Sequence, residues 1–84
     1  MAKVTVYSGP GCPYCDRAKA LLKSKGVNFE DFNVRADPAK FDEMLKISNG
    51  RKTIPQIFIN GQHVGGCDDL MALNSAGKLD AMLA

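Results

Sequence analysis

No apolar stretch in this 84-residue chain approaches the length needed to cross a bilayer, and no run of five like charges occurs along it. A spanning helix takes ~20 consecutive, mostly apolar residues, so none is expected here. The 11 basic and 9 acidic residues are scattered, the net charge is +2, and the densest basic cluster is only Arg51–Lys52. Nucleic-acid binding through bulk electrostatics needs a concentrated patch, and none is written here. Met1-Ala2-Lys3-Val4-Thr5-Val6 runs straight into strand-like sequence without a signal-peptide pattern, so a cytoplasmic location is expected. Cysteine is sparse and odd in number: Cys12, Cys15 and Cys67. Without a secretion signal, an odd count argues against a structural disulfide framework and leaves chemistry, metal binding or packing. Linkers, repeats and low-complexity segments are absent, and the length suits one domain over residues 1–84.

What is present reads as a small folded unit. Hydrophobic residues make up 45 %, enough for one core, although so short a chain buries a smaller fraction of its surface than a large one. Lys3-Val4-Thr5-Val6-Tyr7 alternates and is β-branched, as a strand does. Ser8-Gly9-Pro10-Gly11 is a dense turn signal, and Pro13 suits the first position of a helix. Cys15, Ala18, Leu21 and Leu22 recur at helical spacing, Lys19, Lys23 and Lys25 read as a solvated face, and Gly26 is a stop. Val27 to Val34 reads as a second strand with imperfect alternation, the pattern of a bulge or an exposed edge.

Asp37-Pro38 opens another helix, with Asp37 as N-cap and Phe41, Met44 and Leu45 on its apolar face. Asn60-Gly61 between Ile57-Phe58-Ile59 and Gln62-His63-Val64 is a strong hairpin signal. A last helix follows Gly65-Gly66, opened by Asp68-Asp69 and interrupted at Gly77 before Leu79, Met82 and Leu83. Phe29, Phe32, Phe41 and Phe58 are expected in the core. The order β-α-β-α-β-β-α implies an α/β protein. Its first two strands are parallel through a right-handed crossover, its last two form a hairpin, and helices flank one mixed four-stranded sheet.

Cys12-Pro13-Tyr14-Cys15 falls where the first strand meets the first helix. Thiol–disulfide exchange needs a thiolate, and a free cysteine near pKa ~8.5 is mostly protonated at neutral pH. A helix N-terminus offers unpaired N–H groups and the positive end of the dipole, which stabilise a thiolate at Cys12. Cys15, one turn further in, is placed to resolve a mixed disulfide formed by an exposed Cys12. A C-x-x-C beside a βαβ pattern is a redox signature.

Four segments now acquire a joint meaning: Cys12-Pro13-Tyr14-Cys15, Ala18-Lys19-Ala20-Leu21-Leu22, Thr53-Ile54-Pro55-Gln56-Ile57-Phe58-Ile59 and Gly65-Gly66-Cys67-Asp68-Asp69-Leu70. In that order and spacing the chain resembles the small bacterial dithiol glutaredoxins nearly end to end. The resemblance implies a thioredoxin fold with a cis Ile54–Pro55 bond and glutathione as reducing co-substrate. It implies that Tyr14, Arg51, Thr53, Ile54, Pro55, Gly66, Cys67 and Asp68 line the glutathione groove. Gly66 and the N–H groups after it would take one carboxylate, Asp68 the free amine, and Arg51 or Lys52 the other carboxylate. Expected partners are glutathionylated and disulfide-containing proteins such as ribonucleotide reductase, with the protein acting as a monomer. Many members carry a lysine three residues before the first cysteine, where this chain has Gly9. That departure predicts a less acidic Cys12 or more reliance on backbone N–H groups.

Other readings stand beside this one. His63 and Cys67, with Cys12 and Cys15, make four possible zinc ligands, but zinc ligands usually arrive as close pairs on turns. Two chains bridging an iron–sulfur cluster through Cys12 is another possibility, disfavoured by the proline that follows it. No metal is expected. The chain has no tryptophan, against the Trp before Cys-Gly-Pro-Cys that marks thioredoxins. A glutaredoxin-like donor recycled by thioredoxin reductase is the alternative enzyme. Cys67 reads as a small residue of the groove wall rather than a third redox thiol, and His63 as an exposed strand residue.

Overall fold

Val4, Val6 and Tyr7 are buried along β1 (Val4–Ser8), a central strand of the sheet in a computed structural model that describes residues 2–84. It pairs in parallel with β2 (Phe29–Asn33) and antiparallel with β3 (Gln56–Ile59), and β4 (Gln62–Gly65) completes the order β2-β1-β3-β4. Helix α1 (Pro13–Ser24) joins β1 to β2, α2 (Pro38–Ile47) leads to β3, and α3 (Cys67–Ser75) follows β4. This is the expected mixed four-stranded sheet of a thioredoxin fold. Gly77, at φ 73°, breaks the last helical segment and leaves a short α4 (Leu79–Leu83).

Side-chain alternation divides the core between the two faces of the sheet. Val4, Val6, Ile57 and Ile59 pack with Ala18 and Leu22 of α1, Leu70 of α3 and Leu79 of α4. On the other face Tyr7 and Phe58 pack with Met44 of α2 and Val34, and Phe32, Phe41 and Ile54 lean against them. Of the four phenylalanines expected in the core Phe58 is buried, while Phe29 and Phe32 on the edge strand β2 and Phe41 on α2 are partly buried against the core. The same edge position explains the broken alternation there: β2 is shorter than Val27–Val34, and its Glu30, Asp31 and Asn33 face solvent.

The local signals hold. Asp37 caps α2 by accepting from the N–H groups of Ala39 (3.1 Å) and Lys40 (3.3 Å), with Pro38 at the first position. Asn60 and Gly61 both adopt positive φ, 52° and 78°, as a two-residue hairpin turn of the primed type requires. The lysines of α1 depart from expectation. Lys19 pairs with Asp31 at 3.0 Å and Lys25 with Asp80 at 2.8 Å, so both are half-buried and only Lys23 is fully solvated. Neutralising carboxylates arrive from β2 and α4, which helical spacing alone does not reveal. Tyr7 donates its hydroxyl to Glu43 at 2.6 Å and ties α2 to the sheet. That bond holds the Glu43 carboxyl below its usual range, while burial pushes the Tyr7 phenol up.

Leu22 has no exposed surface and Ile47 is 45 % exposed. Leu22→Ala is expected to cost about 2–5 kcal/mol through lost burial and the residual cavity, whereas Ile47→Ala should stay within about 0.5 kcal/mol. Urea denaturation of both variants checks this; similar costs at the two positions would contradict the assignment of the core.

Candidate active site

Ser8, the last residue of β1, is buried, and the chain leaves it through Gly9-Pro10-Gly11. Gly11, at φ 69°, turns the backbone so that Cys12 arrives in extended geometry as the N-cap of α1, with Pro13 at the first helical position. The Cys12 sulfur takes the place of an N-cap oxygen: the Cys15 N–H donates to Sγ at 3.1 Å. Sγ also stands 3.9 Å from the carbonyl oxygen of Ile54, across the junction with the residues before β3. Cys12 and Cys15 are joined as a disulfide with their Cα atoms 5.2 Å apart.

Cys15 is wholly buried and Cys12 is 7 % exposed. The expected order, Cys15 inside Cys12, is kept, but Cys12 is less open than the spacing suggests. In the disulfide its sulfur turns toward Cys15 and sits close to the Ile54 carbonyl. Once reduced, Cys12 keeps the helix N-terminus behind it, and the backbone N–H of Cys15 favours the charged sulfur.

Beside this pair lies a cleft of about 490 Å³ lined by Tyr14, Arg51, Thr53, Ile54, Pro55, Gly66, Cys67, Asp68 and Asp69. The fold thus brings together all eight residues expected there, from α1, the connection before β3, and the start of α3. Tyr14 is 55 % exposed and forms an open wall, with the Arg17 guanidinium 5.7 Å from its ring centre. The Ile54–Pro55 bond is cis, and among the described residues Ile54 makes no backbone–backbone hydrogen bond.

Asp69 is the lining residue that the sequence reading missed. Its Oδ2 accepts from the Gly66 N–H at 2.9 Å and lies 3.5 Å from Arg51 Nη1. An acidic residue at the third position of a helix after a glycine cap was the available signal. One part of the expectation is thereby corrected: the Gly66 N–H is already taken by the Asp69 carboxylate. Gly65 needs to be glycine, since its φ is 119° and a Cβ there would collide with the Asp69 carboxylate.

Cys67 is a free thiol, 5 % exposed, in the cleft wall. Burial pushes its pKa up and the neighbouring Asp68 carboxylate pushes it further, with Arg17 opposing. A thiol held protonated in this way is a poor nucleophile. His63 is half-buried rather than exposed, stacked on Phe58 at 4.8 Å. Its Nε2 is 2.8 Å from Gln56 Oε1, and Gln56 donates in turn to the Thr53 carbonyl at 2.9 Å and hydroxyl at 3.2 Å. His63 therefore braces the segment that carries Thr53 and does not join the cysteines. Among the described residues no group of three or more His, Cys, Asp or Glu side chains is gathered to hold a metal ion.

Residues 4–64 match the family profile described as Glutaredoxin. The chain is 57 % identical over 83 residues to Glutaredoxin 3 of Escherichia coli K12, covering 99 % of each. It is 49 % identical over 84 residues to a glutaredoxin of Pseudomonas aeruginosa, covering 100 % of this chain and 99 % of that one. Among solved structures, the glutaredoxin of Brucella melitensis aligns at TM-score 0.85 and 54 % identity, over 99 % of this chain and 89 % of that one. A buckwheat glutaredoxin–glutathione complex aligns at TM-score 0.87 and 33 % identity, over 98 % of this chain and 76 % of that one.

Burial first, and then the Arg51 charge, hold the His63 pKa below its ordinary value, with Asp69 opposing. The unfolded chain therefore binds more protons than the folded one as pH falls through the ordinary histidine range near ~6.5. The His63 contribution to stability is complete above that range and is lost on acidification. The urea midpoint should fall between about pH 7.5 and pH 5.5, and His63→Gln should flatten part of the fall. Equal declines in the two proteins would remove His63 as the cause.

Proposed function

The chain belongs to the glutaredoxin family, and from that premise we propose how Cys12, Cys15 and the adjoining cleft divide the work of a glutathione-dependent thiol–disulfide oxidoreductase. Glutathione is the co-substrate. The observation that carries the assignment is the Cys12 sulfur at the α1 N-cap, accepting from the Cys15 N–H, beside a cleft whose wall includes Tyr14 and Ile54. Cys12 as thiolate attacks the glutathione sulfur of a glutathionylated substrate. The old disulfide breaks, the substrate leaves as a thiolate, and the glutathionyl group rests on Cys12. A glutathione thiolate then attacks the glutathione sulfur of that adduct, releasing glutathione disulfide and regenerating the Cys12 thiolate.

Protein disulfides take both cysteines. Cys12 forms the mixed disulfide, the Cys15 thiolate attacks Cys12 Sγ and expels the substrate, and two glutathione molecules reduce the resulting bond. In the cleft, glutathione lies as an extended peptide along the unpaired Ile54 backbone, against Tyr14, Thr53, Pro55 and Cys67. The N–H groups after Gly66 and the Asp68 carboxylate meet the carboxylate and amine of the γ-glutamyl end, and Arg51 meets the second carboxylate. Arg51 is half-exposed and only loosely held by Asp69, so it can be shared with the ligand. Disulfide-bearing enzymes such as ribonucleotide reductase fit as protein substrates. We place the protein in the cytoplasm, acting as a monomer whose 84 residues form one domain.

Cys12→Ser should abolish glutathione-coupled reduction of a small mixed disulfide, while Cys15→Ser keeps that activity and loses protein-disulfide reduction. Asp68→Asn should raise KM for the glutathionylated substrate about tenfold, the worth of one charge-assisted hydrogen bond, with kcat little changed. Steady-state assays of the three variants decide. A wild-type protein inert with glutathione yet turned over by thioredoxin reductase would overturn the reading of the cleft.

A further inference from the structure

Arg35 lies in the connection from β2 to α2, and its side chain runs back over the turn that carries Cys12. A Cβ added at Gly9 would stand 2.7 Å from Arg35 Cδ, 2.9 Å from Cγ and 3.0 Å from Nε. The Arg35 stem therefore occupies the space that any side chain at Gly9 would need. Its Nη1 donates to the carbonyl oxygen of Pro10 and lies 3.9 Å from a Cβ built on Gly11, the residue next to Cys12. The backbone beneath is also held. Asn33 Oδ1 accepts from the N–H groups of Arg35 (3.0 Å) and Ala36 (3.2 Å), and the Val34 N–H donates to the Ser8 carbonyl at 2.9 Å.

Among the described residues no carboxylate is paired with this guanidinium, whereas Lys3, Lys19, Lys25, Lys40 and Arg51 all have acidic partners. Other charges stand nearby without reaching the Gly9–Gly11 turn: Arg17 lies over the Tyr14 ring, Arg51 is loosely paired with Asp69, and Asp16 and Asp68 are acidic residues in the first turns of α1 and α3.

We propose that Arg35, anchored on the Pro10 carbonyl, is a positioning cation that favours the thiolate form of reduced Cys12 and so sets the pH at which the protein attacks its substrate. The charge that Gly9 cannot provide is delivered from a different segment, and the missing side chain at Gly9 is what lets it approach. Arg35 touches no reacting atom; it acts through space on Cys12, and the proposal rests on Cys12 being the nucleophile. Because Arg35 is exposed on the whole, its field is partly screened and must weaken as salt rises.

The test is the pH dependence of Cys12 alkylation by iodoacetamide, a neutral reagent, in the reduced full-length protein, with the labelled peptide quantified by mass spectrometry. Arg35→Gln keeps the stem over Gly9 and removes the charge. It should raise the Cys12 pKa by roughly half a unit and slow alkylation about threefold on the acid side. Arg35→Lys should recover most of the difference, and about 1 M salt, where the screening length is ~3 Å, should shrink it by more than half. An unchanged pKa in Arg35→Gln, with Cys12→Ser inactive, overturns the role of Arg35 and leaves the reading of the cleft standing. A shift that survives high salt or is not recovered by lysine reports a displaced turn and also overturns the proposal. Cys12→Ser retaining activity overturns both.

Discussion

The bond from the Cys15 N–H to the Cys12 sulfur is the contact on which the rest of the site depends. An α-helix leaves its first N–H groups without partners, and some acceptor has to meet them. Here the acceptor is the atom proposed to do the chemistry, so one interaction caps the helix and favours a thiolate there. Everything upstream serves this placement. β1 is central and buried, Gly11 turns the chain by positive φ, and Pro13 starts the helix where its missing N–H is not needed. The wholly buried Cys15 then follows one turn further in, close enough to bridge.

The cleft is assembled from three places in the chain, and each is fixed by a different device. Tyr14 comes with α1 itself. Thr53, Ile54 and Pro55 are braced from behind by the buried Gln56 amide, which links Thr53 to His63 on β4. The α3 start is fixed by Asp69, which holds the Gly66 N–H and reaches Arg51. These contacts lie on the inner side, and on the proposed reading the Ile54 backbone and the Asp68 carboxylate are the outer groups that meet a peptide-like ligand. Cys67 sits in the same wall, where its own burial and the Asp68 charge push its pKa up.

The strands, the Asn60–Gly61 hairpin, the Asp37 cap and the Cys12-Pro13-Tyr14-Cys15 site were legible because each is written in neighbouring residues with a local physical meaning. The eight cleft residues were legible only through the resemblance, since no local rule brings Arg51 and Asp68 to the side of Tyr14. What stayed hidden was non-local charge pairing. Lys19 looked solvated until Asp31 arrived from β2, His63 looked exposed until Gln56 and Phe58 covered it, and Arg35 carried no local signal. Asp69 was read as part of a helix start, but its second role toward Arg51 needed the two segments in contact.

Competition among the three thiols tests the central claim most directly. Reduced protein is mixed near pH 7 with less than one equivalent of iodoacetamide, and the label is located by peptide mass spectrometry. If the α1 N-terminus activates the cysteine that caps it, nearly all the label falls on Cys12, with little on Cys15 and least on the buried Cys67. Label shared evenly between Cys12 and Cys15, or concentrated on Cys67, would contradict the account.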